Sequence, residues 1–518
     1  MSNLSGIVKS IRDIMRDDRG ISGDGQRIEQ LAWMLFLKIM DDKDQELEVM
    51  DDDYVSPIPE KFQWRHWAAD DEGMTGDELQ NFIDAPEGLF DTLKNLPADN
   101  PRAYMVREVF EGNNNYMKSG INLRKVVNKL NEVDFNVATE RHLFGDIYEA
   151  ILKELQSAGA YGEFYTPRAV TQFMTDMVDP RIGEVVLDPA CGTGGFLAGV
   201  VEHLKEQASS VEERNSIQPN VRGWEWKPLP YVLATTNLIL HDIELPDITY
   251  RDALDKPLSE YRRSERVDVI LANPPFGGTV ANNNENNFPQ NYRTKESADL
   301  FLVMMIHLLK EHGRAAIVLP DGSLTGEGVK QRIREKWLTD CNLHTIVRLP
   351  NSVFSPYATV ATNLLFFDKA PVTAPTEATA TVSRSPNGKS TNGQADLFAE
   401  PEAVVRPGRF ATQTIWYYEH TLPAGQKSYS KTKPIRREEF NPIEDWWHNR
   451  QESERAWKVD IQTVVDKGFD LDIKNPHREE ETFEDPSLVL KQYQAAQGRL
   501  TQLQNDLKDE LMSILDAG

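Results

Sequence analysis

The stretch Val185-Val186-Leu187-Asp188-Pro189-Ala190-Cys191-Gly192-Thr193-Gly194-Gly195-Phe196-Leu197 decides the fold of this chain. An apolar run ends at an acidic residue, turns on glycines and enters an apolar helical pattern. Such a strand, tight loop and helix hold a nucleotide-like ligand at the carboxyl edge of a parallel sheet, where glycines let the ligand approach the backbone. A dinucleotide site would carry Gly-x-Gly-x-x-Gly, but the residue three beyond Gly194 is Leu197, so the loop departs from a pyrophosphate cradle.

Outward from this loop, short β-branched runs alternate with helical stretches, which predicts a doubly wound α/β domain. Strands are expected at 184–187, 221–226, 267–272, 315–319 and 343–348, with a closing β-hairpin of 352–354 and 362–367. Helices fit between them at 195–207, 228–241, 298–311 and 329–340. Residues 1–142 carry helical spacing without a convincing strand and are expected to form an all-α domain. The catalytic α/β domain then spans 143–369, and a linker or insertion rich in Ala, Pro, Thr, Ser and Asn spans 370–405. That segment holds Gly388-Lys389-Ser390-Thr391, a phosphate-loop fragment with Ser383 where the first glycine is required and no preceding strand. An aromatic-rich extension spans 406–485. In the last segment, 486–518, Tyr493, Ala496, Leu500, Leu503, Leu507, Leu511 and Ile514 trace a narrow apolar stripe on a helix that needs a partner. The acidic run Asp41, Asp42, Asp44, Glu46, Glu48 and Asp51 to Asp53 reads as a solvated helix end and loop rather than a metal site.

A second constellation, Asn273-Pro274-Pro275-Phe276, follows the apolar strand at 267–272 and so lies on the same carboxyl rim. Two prolines fix the backbone and remove donors, leaving the Pro274 carbonyl and the Asn273 amide oxygen to accept hydrogen bonds from one amino group. Phe276 offers a face on which an extruded base can stack, typically for ~1–3 kcal/mol. The polar run 282–291 directly afterwards is expected to order over such a base.

With Asp188 at the strand end, the first loop resembles motif I of S-adenosylmethionine-dependent methyltransferases, and the pair of motifs resembles the amino-methylating DNA methyltransferases. The flanks resemble one family closely, the modification subunits of type I restriction–modification systems. The match includes Tyr161-Gly162-Glu163-Phe164-Tyr165-Thr166-Pro167, Gly223-Trp224-Glu225, Asp299-Leu300-Phe301-Leu302, Gly313-Arg314-Ala315-Ala316-Ile317-Val318-Leu319-Pro320 and Leu349-Pro350-Asn351-Ser352-Val353-Phe354. The resemblance implies a Rossmann-like α/β methyltransferase domain, preceded by an all-α N-terminal domain and followed by a C-terminal helical extension for subunit contact.

It further implies that Tyr165, Thr166 and Pro167 face the methionine part of the cofactor, while Asp188, Gly192, Thr193 and Gly194 shape the floor beneath it. Glu225 would accept from both ribose hydroxyls and Asp252 from the cofactor's adenine amine, although Arg251 stands where the family usually has glycine. Asn273, Pro274, Pro275 and Phe276 would be catalytic, with Asn273 also bordering the cofactor. A base amine is a poor nucleophile because its lone pair is delocalised into the ring. Accepting two hydrogen bonds from it pulls the nitrogen toward tetrahedral geometry and stabilises the charge that develops as the methyl arrives. Asn rather than Ser at 273, together with the motif order, points to adenine N6 rather than cytosine N4. Cys191 has no nucleophilic role, and His203, His241, His307 and His312 read as structural.

Composition bounds the alternatives. The 518 residues contain 57 Lys and Arg against 82 Asp and Glu, a formal charge of −25 that would repel polyphosphate unless the cations cluster. Affinity for DNA is therefore expected to come largely from another subunit, and the resemblance implies that this is a specificity subunit, with a second copy of the methylation subunit and a restriction subunit (motor and nuclease) completing the assembly. Two cysteines offer neither a disulfide framework nor a zinc site, and no metal is expected. No apolar run approaches the ~18 residues of a membrane span, and the start Met-Ser-Asn-Leu-Ser-Gly lacks a secretion signal, so a cytoplasmic protein without membrane contact is expected. Two other functions stay open at this point: methylation of RNA or of a protein glutamine amide, and a non-catalytic subunit that only holds the cofactor.

Overall fold

A computed structural model describes residues 4–132, 165–281, 283–355, 360–371, 409–430, 432–477, 490, 493–504 and 507. Tyr161 to Phe164, the phosphate-loop fragment, nearly all of the 370–405 segment, and Leu511 and Ile514 lie outside these residues.

The sheet is built from β1 (Val186–Asp188), β2 (Val221–Glu225), β3 (Asp247–Tyr250), β4 (Val267–Ala272), β5 (Leu309–Pro320), β6 (Cys341–Arg348), β7 (Thr362–Lys369), β8 (Thr414–Glu419) and β9 (Ala456–Asp460). Their order is β3-β2-β1-β4-β5-β7-β6-β8-β9. Strands β1 to β6 and β8 run in one direction, while β7 and β9 run against it. The carboxyl ends of β1, β2, β4, β6 and β8 therefore share one rim. The order reverses beside β1, which pairs with β2 on one side and β4 on the other, and a cleft opens at such a switch point. Crossover helices Gly195–Gln207, Pro228–Leu240, Ser297–Leu308 and Val329–Asp340 follow the predicted periodicity. Helices Pro228–Leu240 and Ser297–Leu308 are buried nearly all round and predominantly apolar, as helices covered on both sides must be.

The sheet differs from expectation in three places. Residues 352–354 form a turn, not half of a hairpin, and β7 instead inserts antiparallel between β5 and β6. Its fully apolar centre, Leu364 to Phe367, is buried on both faces, which suits a central strand and not an exposed hairpin. The aromatic-rich extension is not a separate appendage: β8 and β9 continue the catalytic sheet, with Tyr417 stacked on Trp457 at 5.2 Å. The short β3 went unseen because its alternation of Asp247, Ile248, Thr249 and Tyr250 buries one residue only.

The N-terminal region is helical throughout its described residues and centres on Asp24–Met50. Trp33 packs edge-on against Phe90 at 5.1 Å and against Phe110 at 6.2 Å. Asn100 caps the helix Pro101–Glu111, accepting from the backbone N–H of Arg102 and Ala103. The acidic run is only partly solvated. Asp51 to Asp53 are exposed, but Asp41, Asp42 and Asp44 are buried and partnered. Asp44 accepts from Tyr54 Oη at 2.6 Å, from the Ser56 hydroxyl and from Arg102 Nη2 at 2.6 Å. Asp41 accepts from the Arg65 backbone N–H at 2.9 Å. These donors lie far along the chain, so local sequence could not reveal them. Arg102 also donates Nη1 to the Glu244 carbonyl at 2.8 Å, and Lys43 reaches Asp242 at 3.3 Å, which ties the helical region to the loop before β3.

The segment 475–518 forms a compact unit of its own. It is helical over 493–504, and Tyr493, Leu500, Leu503 and Leu507 of the apolar stripe are more than half exposed. No described helix is long and apolar enough to cross a membrane.

Because Asp44 is fully buried, removing its cation strands a charge. Arg102→Ala is expected to destabilise the chain by about 3 kcal/mol, whereas Arg102→Ala combined with Asp44→Asn costs less than the sum of the two single changes. Urea unfolding of the four proteins of this cycle checks it.

Candidate active site

The loop after β1 is shaped by its own backbone. Asp188 ends the strand, is 1% exposed, and accepts from the Ala190 N–H at 3.1 Å. Gly192 (φ 53°) and Gly194 (φ 76°) adopt left-handed conformations that a side chain would strain, and the Gly194 N–H closes the turn onto the Cys191 carbonyl at 2.8 Å. Asn237, buried in the helix Pro228–Leu240, holds the loop from beneath by donating Nδ2 to the Thr193 carbonyl at 3.1 Å. Burial pushes the Asp188 carboxyl up to about 8; the Ala190 N–H opposes this and the nearby Glu225 reinforces it. Cys191 lies in the same loop, and burial holds its thiol well above its ordinary value, which leaves it protonated and inert.

Glu225 ends β2 and stitches that strand to the glycine loop. Its Oε2 accepts from the Gly192 N–H at 3.0 Å, and its Oε1 from the N–H groups of Trp226 and Lys227, both at 2.8 Å. Burial raises it to about 7 against the pull of these three donors. A carboxylate has about four acceptor directions, so one remains for a ligand rather than the two expected for a pair of ribose hydroxyls. Asp252 is similarly engaged: Oδ1 accepts from the Leu254 N–H at 2.9 Å and Oδ2 from Asn284 Nδ2 at 2.9 Å. The latter bond, with Asn287 Nδ2 donating to the Leu254 carbonyl at 2.8 Å, anchors the Asn-rich run on the loop after β3. That run, expected to order over a base, is thus already fastened to the loop after β3 at these two residues.

Asn273 follows β4. Its Nδ2 donates to Thr166 Oγ1 at 2.8 Å, and its Oδ1 is buried with no hydrogen-bond partner among the described residues. The threonine thereby engages the amide nitrogen and leaves the oxygen as a ready acceptor. Ser297 Oγ donates to the Pro275 carbonyl at 2.8 Å and pins the proline turn from the start of the next helix. Phe276 is partly buried and meets Phe354 edge-on at 6.3 Å.

These loops enclose one cleft of about 260 Å³. Of the predicted residues, Thr166, Asp188, Gly192, Thr193, Glu225, Asp252, Asn273 and Pro275 line it. Tyr165, Pro167, Gly194, Pro274 and Phe276 do not contribute to its wall. Pro167 instead precedes the helix Arg168–Val178, and Tyr165 packs partly buried against the core. Sequence reasoning missed Trp226, Arg251, Val280 and Ser297 among the lining residues. Trp226 is 51% exposed, and an aromatic directly after a strand-end carboxylate was the available signal. Arg251, the departure noted above, caps Trp224 with its guanidinium 4.8 Å from the ring. The histidines serve structure: His203 bonds Asp179 at 3.0 Å, His241 bonds Glu202 at 2.9 Å, and burial depresses His307 to about 4.

Comparison with known proteins agrees with this geometry. The family model described as N-6 DNA Methylase matches residues 139–485, and the HsdM N-terminal domain matches residues 4–130. The chain is 48% identical to the type I restriction enzyme EcoEI methylase subunit of Escherichia coli, over 99% of this chain and 98% of that one. A modification subunit from Vibrio vulnificus YJ016 superposes with a TM-score of 0.76 at 40% identity, covering 93% of this chain and 98% of the other. A chain from a structure of type I R-M complex assembly also reaches 0.76, at 30% identity and with 99% of both chains covered. A rim that pairs a strand-end carboxylate with a presented asparagine acceptor, on a chain matched from end to end, establishes that this protein belongs to the N-6 DNA methylase family of type I restriction–modification methylase subunits.

Proposed function

We propose that this chain moves a methyl group from S-adenosylmethionine to the N6 amine of an adenine swung out of duplex DNA, at a site chosen by a separate specificity subunit. The observation that carries this reading is the buried, unpartnered Oδ1 of Asn273, held in place by Thr166, on the same cleft as Asp188 and Glu225. A buried acceptor without a donor is costly, by about 1–3 kcal/mol, and such exceptions concentrate where a ligand supplies the missing bond.

The residues present fit the cofactor. Two carboxylates whose ionisation is suppressed by burial lie on the floor of the cleft, an environment that favours a cation. S-adenosylmethionine supplies an electrophilic methyl on a positively charged sulfur. Asp188 and the glycine loop would hold its amino-acid end, Glu225 one ribose hydroxyl, and Asp252 with Trp226 the adenine. Asn273 Oδ1 and the Pro274 carbonyl would accept hydrogen bonds from the two N–H groups of the target amine. That contact localises the lone pair on nitrogen and stabilises the charge that grows there. Thr166 acts through Asn273, as a positioning residue. Phe276 would stack on the target base from outside the cofactor cleft, consistent with its partial exposure. The net charge of −25 supports a chain that relies on a specificity subunit for much of its DNA affinity, in an assembly with a second copy and a restriction subunit.

Transfer of tritium from labelled cofactor into DNA, measured on the chain assembled with its specificity subunit, tests the assignment. Asn273→Ala is expected to lower the rate by at least about 10²-fold, the loss typical of one electrostatic contact to a transition state, while cofactor binding persists. Thr166→Val is expected to lower kcat by about 10- to 100-fold with little change in the KM for cofactor, and Thr166→Ser to restore most of it. Label appearing in RNA or in protein instead would refute the adenine reading.

The carboxylates also set a pH dependence. A cationic ligand stabilises their ionised forms and lowers pKa values of about 8 and 7, so binding releases protons. Cofactor affinity is expected to rise with pH from 6 to about 8 and then level off. Asp188→Asn is expected to flatten the upper part of this rise. Calorimetric titration in buffers of different ionisation enthalpy reads both the affinity and the proton count.

A further inference from the structure

The loop after β8 leaves the same rim as Asn273, because β8 pairs parallel with β6 and runs in the direction of β4. It carries an unusual run for so acidic a chain: Gln426-Lys427-Ser428-Tyr429-Ser430-Lys431-Thr432-Lys433-Pro434-Ile435-Arg436-Arg437.

The described residues of this segment, 426–430 and 432–437, form a finger held by hydrogen bonds and packing. Ser430 and Lys433 form an antiparallel bridge, each N–H donating to the other's carbonyl at 3.0 Å. Tyr429 and Ile435 are buried, and the Tyr429 hydroxyl donates to Glu439 Oε2 at 2.6 Å. The Tyr429 ring stacks on His420 at 6.5 Å. The finger is fastened beside the catalytic turn: the Tyr429 N–H donates to Ser352 Oγ at 2.9 Å, and two residues on, Phe354 meets Phe276 edge-on. One hydrogen bond and one ring contact thus separate the finger from the Asn-Pro-Pro-Phe motif.

The cations at its tip are available. Lys427 and Lys433 are exposed and have no acidic partner among the described residues, whereas Arg437 behind them is consumed by Asp176 and Glu444. Two other basic side chains of this rim, Arg348 and Arg251, are paired with Asp472 and Asp255. A −25 chain that must approach a polyanion needs a local place where like charge does not repel it.

We propose that the described residues of this loop, 426–430 and 432–436, form a DNA-backbone contact, in which Lys427 and Lys433 bind phosphates flanking the extruded adenine and hold the strand while the base enters. This rests on the DNA-methylating function above. The finger positions its partner without reading sequence, since lysines on phosphates carry no base information.

The test uses the chain assembled with its specificity subunit, with initial methylation rates measured against salt concentration. Each phosphate contact contributes about 0.9 to the slope of log affinity against log salt, so Lys427→Ala with Lys433→Ala is expected to make the slope shallower by about 1.8. At low salt and saturating DNA, kcat is expected to stay within about twofold of the unsubstituted protein, and Lys427→Arg with Lys433→Arg to keep the original slope. An unchanged slope overturns the proposal. So does failure of the Lys427→Glu, Lys433→Glu protein to assemble, which would make the finger a protein contact. Absence of any DNA methylation by the unsubstituted complex would instead defeat the functional reading itself.

Discussion

The hydrogen bond from Asn273 to Thr166 is the contact on which the site depends. An amide at the end of a strand can face either way, and only one orientation leaves its oxygen toward the cleft. In the observed arrangement the threonine hydroxyl accepts from Nδ2, which places the oxygen on the other side of the amide before any substrate arrives. The remaining oxygen stays buried and unpartnered, and the two prolines that follow cannot relax to satisfy it because they have no N–H to offer. Preorganisation of this kind moves the cost of orienting an acceptor from the reaction to the folding of the chain.

The sheet explains why the other half of the site lies within reach. Strands β1 and β4 are neighbours in space though some eighty residues apart in sequence, and both end on one rim. Glu225 then couples β2 to β1 at the same rim, since its carboxylate accepts from the glycine loop of β1 and from its own strand end. Asp252 extends the coupling to the Asn-rich run through Asn284. These carboxylates are thus structural and ligand-facing at once, which is how a short loop can be rigid and still present acceptors.

Much of this was legible from local pattern. The strand at 186–188, the glycine turn and the strand before Asn273 announce themselves through apolar runs ended by residues with special backbone or hydrogen-bonding properties. The crossover helices were legible for the same reason. What stayed hidden depends on long-range pairing. β7 reads as the arm of a hairpin until its insertion between β5 and β6 is seen, and β8 and β9 read as a separate extension because a compositionally different segment precedes them. Asp41 and Asp44 find partners as far as 24 and 58 residues away, so the run looked solvated. In the site, spacing could not show that the Thr166 hydroxyl, which lines the cleft, also reaches Asn273. Glu225 was given two free acceptor directions because the backbone donors that occupy the others belong to three different positions.

The central claim is that a cofactor pocket and a base pocket adjoin at one rim. A bisubstrate compound that joins the cofactor's amino-acid and nucleoside portions to the N6 of adenosine tests it most directly. The account expects it to bind at least 100-fold more tightly than the cofactor portion alone, with that advantage lost in Asn273→Ala and the remaining affinity weakened in Asp188→Asn. Binding no tighter than the cofactor portion, or an advantage unaffected by Asn273→Ala, would contradict it.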